Sequence, residues 1–158
     1  MRISQRLAFA ATVVLLACAL PTIAAAGAPL TKAQYQALLR QADARVGKAV
    51  TAAQNGVQAK KPPAEIKKLI LAWALVETQL GNSFKAAHPP AAAADANALL
   101  SRGEILFGKQ LTAAANTLPS KASAIGPYLD KRLGKATGPQ MVDKALKQLH
   151  KAGYASGG

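Results

Sequence analysis

One cysteine, two histidines and seven acidic residues are all that 158 residues offer for metal, redox or acid–base chemistry. A single cysteine, Cys18, builds no disulfide scaffold. It also excludes four-cysteine zinc sites, iron–sulfur clusters and CxxCH haem attachment. His88 and His150 each lack a glutamate three positions earlier, so the Glu-x-x-His pairs of a di-iron bundle are missing. Both read as solvated helix-end histidines. Met141, the one conceivable haem partner for them, falls on an apolar helix face and reads as core. No Gly-x-Ser-x-Gly elbow and no phosphate-binding glycine loop is present. No histidine is placed to activate a serine or threonine. Aromatics make up 4% of the chain, and β-branched residues are few, which argues against an all-β domain. These shortages point to a non-catalytic protein without metal or cofactor. An enzyme of unrecognised type is the last alternative.

What the chain does contain is alanine, 37 residues of it, within a hydrophobic fraction of 51%. That fraction is too high for wholesale disorder, and the length suits one domain. Lys and Arg number 20 against seven Asp and Glu, a formal net charge of +13 and a pI near 10.3.

The order of the first segment is basic, then apolar, then small. Arg2 and Arg6 precede the uncharged run from Leu7 to Leu20, and Ala24-Ala25-Ala26-Gly27 follows. This is the pattern of a secretory signal peptide, residues 1–26, with cleavage expected after Ala26. The apolar run is shorter than the roughly 20 residues a spanning helix needs, so a retained anchor is the lesser reading. A third reading takes Leu15-Leu16-Ala17-Cys18 as a lipobox with Cys18 lipidated, giving a lipid-anchored exported protein. Ordinary cleavage removes Cys18, Arg2 and Arg6 and leaves a charge of +11.

Residues 27–153 read as one all-α domain, with 154–158 as a flexible tail. Thr31 and Gln34 form a capping-box pair. Tyr35, Leu38, Leu39, Ala42, Val46, Ala49, Val50 and Ala53 then recur within about 120° of arc at 100° per residue. Asn55-Gly56 predicts the stop, and Gly47 predicts a close helix–helix approach. Pro62-Pro63 opens a second helix to about Ala87. Its stripe is Ile66, Leu69, Ile70, Trp73, Val76, Leu80 and Phe84. Leu71 and Leu75 lie on a second apolar side, which predicts two neighbours. The third helix, about Ala91 to Thr117, carries Leu99, Leu100, Leu106, Phe107, Leu111, Ala114 and Leu118. Gly103 and Gly108 predict a kink or a tight contact in it. Residues 120–138 look irregular, with Gly126-Pro127 opening a short helix. A last helix from Pro139 to about Lys151 presents Met141, Val142, Ala145, Leu146 and Leu149. The expected architecture is an antiparallel bundle of three long helices plus a shorter C-terminal one.

Two sets of residues stand out as candidate sites. The first is cationic: Lys60, Lys61, Lys67, Lys68, Lys131, Arg132, Lys135, Lys144, Lys147 and Lys151. Lys144, Lys147 and Lys151 share one face of the last helix. Such faces suit anionic cell-envelope polymers or a lipid surface. Without a recognition helix or stacking aromatics, sequence-specific nucleic-acid binding is not expected. The second set would line the bundle interior around a small apolar ligand: Trp73, Glu77, Phe84 and Phe107. Glu77 interrupts the apolar stripe, and the simplest expectation is a boundary residue paired with a neighbouring Lys or Arg. Glu104, at the edge of the third helix's apolar face, is expected to behave alike.

The mature start, Leu30-Thr31-Lys32-Ala33-Gln34-Tyr35 with Gln41-Ala42-Asp43-Ala44, and the later Pro62-Pro63-Ala64-Glu65-Ile66, resemble small exported helical proteins and lipoproteins of high-GC, actinobacterial-type bacteria. The resemblance covers about half of the mature chain. It implies a cell-envelope setting and transfers no functional residue. Many such proteins have a cysteine near the position of Asp43. Here Arg45 and Val46 follow Asp43, so no disulfide pattern carries over.

Overall fold

A computed structural model describes residues 28–155. The leading segment with Cys18, and residues 156–158, lie outside the described residues. The described chain is helical, with no strand. Its α-helices are α1 (Lys32–Gln58), α2 (Pro63–Ala86), α3 (Ala94–Asn116), α4 (Ala122–Leu133) and α5 (Thr137–Lys151). A 3-10 turn, Ala91–Ala93, leads into α3. None of the described helices is long and apolar enough to cross a membrane.

Thr31 caps α1 as its sequence indicates. The Gln34 amide donates to Thr31 Oγ1 at 3.2 Å, and the Thr31 amide donates to Gln34 Oε1 at 2.8 Å. The Asn55-Gly56 stop is not used. Helix α1 runs on to Gln58, and Lys60, at φ 49°, takes the left-handed position. The amides of Lys60 and Lys61 donate to the carbonyls of Val57 and Gly56, closing a Schellman turn. Gly56 is instead a packing residue, since a Cβ there would meet the Leu69 side chain at 2.5 Å.

The stretch expected to be irregular is ordered by α4, which starts at Ala122 and contains Pro127. Pro127 is exposed, so the amide it lacks falls on the solvent side. Helix α4 buries Ile125 and Leu133, and α5 then begins after a short turn.

The close contacts fall elsewhere than at Gly47, around which no atom lies within 4 Å of a Cβ position. They centre on α3. A Cβ on Gly108 would sit 2.8 Å from the Ala74 carbonyl, and one on Gly81 would sit 2.8 Å from that of Ser101. A Cβ on Gly103 would be 3.0 Å from Val142 N, and one on Gly138 would be 2.6 Å from Phe107 N. Gly103 and Gly108 therefore mark tight packing, with α2 on one side of α3 and α5 on the other. Side chains tie the same interface. Asn97 Nδ2 donates to the Phe84 carbonyl at 2.8 Å, and Ser101 Oγ donates to that of Gly81 at 2.8 Å.

The apolar interior falls into two clusters. One joins Tyr35, Leu39, Leu80, Phe84, Leu100, Val142, Leu149 and Tyr154. The other joins Ile66, Ile70, Leu111, Ala114, Ile125 and Leu133. The second apolar side of α2 is only partly used. Leu71 packs on the second cluster, while Leu75 is 58% exposed. A lone exposed leucine is ordinary for a protein surface.

Tyr154, expected as the start of a tail, is 3% exposed. Gly153, at φ 78°, closes a second Schellman turn in which the Tyr154 amide donates to the Leu149 carbonyl. This returns the ring to the core, edge-on to Tyr35 with centroids 5.6 Å apart. Tyr35 in turn donates its hydroxyl to Asn97 Oδ1 at 3.0 Å.

Gly47→Ala should stabilise the protein by up to about 1 kcal/mol, because it replaces a helix-interior glycine facing open space. Gly108→Ala should destabilise by about 1–3 kcal/mol through overpacking. Thermal melts followed by circular dichroism check both signs. Burial, and then the neighbouring Tyr154, push the Tyr35 hydroxyl well above the usual tyrosine value of 10.0. A folded-state value above the unfolded one means the unfolded chain gives up this proton first. Stability should therefore be intact below pH 10 and fall as pH rises above it. Tyr35→Phe should flatten that fall, and a slope that survives it would assign the loss to other groups.

Candidate functional site

Each end of α2 belongs to a different apolar cluster, and Glu77 lies at the division. Ile66, Ile70 and Ala74 before it pack in one cluster, Leu80 and Phe84 after it in the other. Glu104 has the equivalent place on α3, between Leu100 and Leu111. Both carboxyl side chains are buried, at 2% and 7% exposure. Helix α4 supplies Ile125 and Leu133 to one cluster, and α5 supplies Val142, Ala145 and Leu149 to the other.

The expected ion pair for Glu77 is not what forms. Its Oε1 accepts a hydrogen bond from Trp73 Nε1 at 2.6 Å, one helical turn earlier, and its Oε2 is buried with no hydrogen-bond partner. Helical geometry explains the choice. An i, i+4 pair on the core face meets directly, whereas every described lysine and arginine is exposed or, for Lys67, half-buried. Trp73 also packs edge-on against Phe107, with centroids 5.3 Å apart. Trp73, Glu77 and Phe107 thus come together. Phe84 does not join them, being buried in the Tyr35 cluster.

The cationic candidates are spread along the molecule. Lys60 and Lys61 occupy the α1–α2 turn, and Lys67 and Lys68 the start of α2. Lys144, Lys147 and Lys151 line the exposed face of α5. Lys61 pairs with Glu65 at 3.3 Å and Lys147 with Asp143 at 3.0 Å. Both are exposed i, i+4 pairs of small energetic weight. The other eight candidates form no ion pair among the described residues.

Arg132 and Lys135 differ from the rest in that they share a hollow. It lies where α3, α4 and the α4–α5 turn meet, with a volume of about 200 Å³. Gln110, Ala113, Leu133 and Ala136 complete its lining. Gln110 Oε1 accepts from the Gly138 amide at 3.1 Å, which secures the start of α5 on α3. Sequence reasoning passed over Gln110 and Asn97, although each is a polar residue set within the apolar face of α3. That interruption was the available signal.

His88 and His150 are exposed at helix ends. No group of three His, Cys, Asp or Glu that could hold a metal ion forms among the described residues. Comparisons with protein-family models, curated proteins and solved structures find no match to the chain.

The Trp73–Glu77 contact makes a direct prediction. Glu77→Gln keeps an acceptor for the indole and should change stability by less than about 1 kcal/mol. Glu77→Ala removes the acceptor and leaves a void, and should cost about 2–4 kcal/mol. Trp73 is the only tryptophan, so its fluorescence reports the change. An alanine variant as stable as the native protein would show that the contact contributes nothing.

Proposed function

We propose that this is an exported, non-catalytic helical-bundle protein whose basic surface engages anionic components of the cell envelope. The bundle is an antiparallel one, with α1, α2 and α3 as its long members and α4 and α5 sharing the fourth position. The observation that carries the reading is the sorting of charge. Eighteen lysines and arginines lie in residues 28–155, every one at least partly exposed, while two of the seven acidic residues are buried. The surface is therefore more one-sided than the composition. A field of that sign attracts polyanions and releases their counterions on contact.

The anionic partner is a hydrated polymer or the headgroup surface of a membrane. The cationic face of α5 has no large apolar side chain to insert into a bilayer; the exposed one is Leu75 on α2. That favours the polymer. Export rests on the leading segment, with cleavage after Ala26 as the ordinary route and lipidation of Cys18 as the other.

A second reading is a carrier of a small ligand, held near Trp73, Glu77 and Phe107. It is favoured by one observation, the buried Glu77 Oε2 without a partner. Native mass spectrometry of the purified protein separates the two: a retained small molecule supports the carrier, and a bare chain removes it.

Binding to purified envelope polymer, and to vesicles containing phosphatidylglycerol, should weaken at least about tenfold between 50 and 200 mM salt. Binding that is indifferent to salt contradicts the electrostatic reading.

A further inference from the structure

We infer that the hollow between α3, α4 and the α4–α5 turn is a site for one phosphoryl group, of the phosphomonoester kind. The inference rests on the reading of a basic, polyanion-binding surface and names a specific point on it. Gln110, Arg132 and Lys135 are the residues with polar side chains at the hollow, and Ala113, Leu133 and Ala136 complete its lining. Gln110 has its carbonyl oxygen engaged by the Gly138 amide. Its –NH2 group supplies donors to a ligand. The guanidinium of Arg132 and the ammonium of Lys135 carry donors alone. The two positive side chains at the hollow favour an anion over a cation.

Charge narrows the class further. Neither Arg132 nor Lys135 is in an ion pair among the described residues, unlike Lys61 and Lys147. The nearest acid in sequence, Asp130, stands two positions before Arg132 on α4, and residues so spaced on a helix do not face each other. Two uncompensated cations match a group carrying about −1.5 to −2 charges, as a phosphomonoester does near pH 7. A carboxylate supplies half of that. The planar fork of arginine also fits two oxygens of one phosphoryl group.

The framework for the site is fixed before any ligand arrives. Leu133 and Ala136 are buried, and Gly138 packs against the Phe107 backbone. The end of α4 with Arg132 and the turn with Lys135 are therefore pinned at each side. Pinning reduces the ordering cost of binding to that of two exposed side chains.

The test is a titration of the purified protein with inorganic phosphate and with glycerol 3-phosphate, followed in amide and arginine Nε–H spectra at constant ionic strength. Acetate serves as the matched anion. Saturable shifts confined to Gln110 and residues 132–138, with acetate weaker, are expected. Arg132→Gln with Lys135→Gln should weaken binding about tenfold or more, while a triple Lys144, Lys147 and Lys151→Gln variant should keep it. Vesicles of phosphatidylcholine, with and without phosphatidic acid, distinguish a lipid headgroup from a soluble ester as the source. Equal loss in the triple variant, equal binding of acetate, or no saturation would overturn the site. A double variant that loses phosphate yet still binds polymer in a salt-sensitive way upholds both the site and the wider surface. Because both cations are exposed, an unchanged melting temperature verifies that the variants fold.

Discussion

The backbone of α3 lies against the backbones of α2 and α5, and the rest of the structure depends on that approach. Glycines at 81, 103, 108 and 138 leave no room for a Cβ. At this spacing short side chains reach across helices. Ser101 touches the Gly81 carbonyl and Asn97 the Phe84 carbonyl, contacts that a leucine-to-leucine interface would hold out of reach. The same approach seats the start of α5 on Phe107 and lets Gln110 take the Gly138 amide. The end of α4 with Arg132 and the α4–α5 turn with Lys135 are placed by these contacts.

Close packing along α3 also explains how the interior tolerates acid groups. Alanine-rich and glycine-rich faces bury little apolar area per residue, so the core is built as two modest clusters. The carboxyl groups of Glu77 and Glu104 lie where those clusters part. Glu77 is held there by the Trp73 indole rather than by a lysine. The cations stay in water, where their hydration costs nothing to keep. Burying two acids while every described lysine and arginine stays at least partly exposed makes the surface more basic than the composition.

Helices were legible in the sequence because period-3.6 stripes and end signals carry them. Thr31 with Gln34, Pro63, and the His88-Pro89 break placed three boundaries to within a residue or two. What was not legible depends on partners. Gly47 and Gly108 look alike in sequence, yet one faces open space and the other a neighbouring backbone. Glu77 looked like a boundary residue because its stripe gives no hint of how far away the nearest free cation lies. Tyr154 looked like tail because a five-residue end rarely folds back. The Gly153-Tyr154 pair, a glycine followed by an apolar residue just past a helix, was the overlooked sign of a Schellman turn. That Arg132 and Lys135, of the cationic candidates, share a hollow is a property of packing, invisible in one dimension.

The central claim is that the α3 backbone contacts hold the protein together. Native-state hydrogen exchange measures it most directly. Amides of residues 100–111 in α3 should be the slowest in the chain, exchanging only when the whole domain unfolds. Amides of α4 should open earlier, through smaller local events. Faster exchange in the middle of α3 than in α4 would contradict the account.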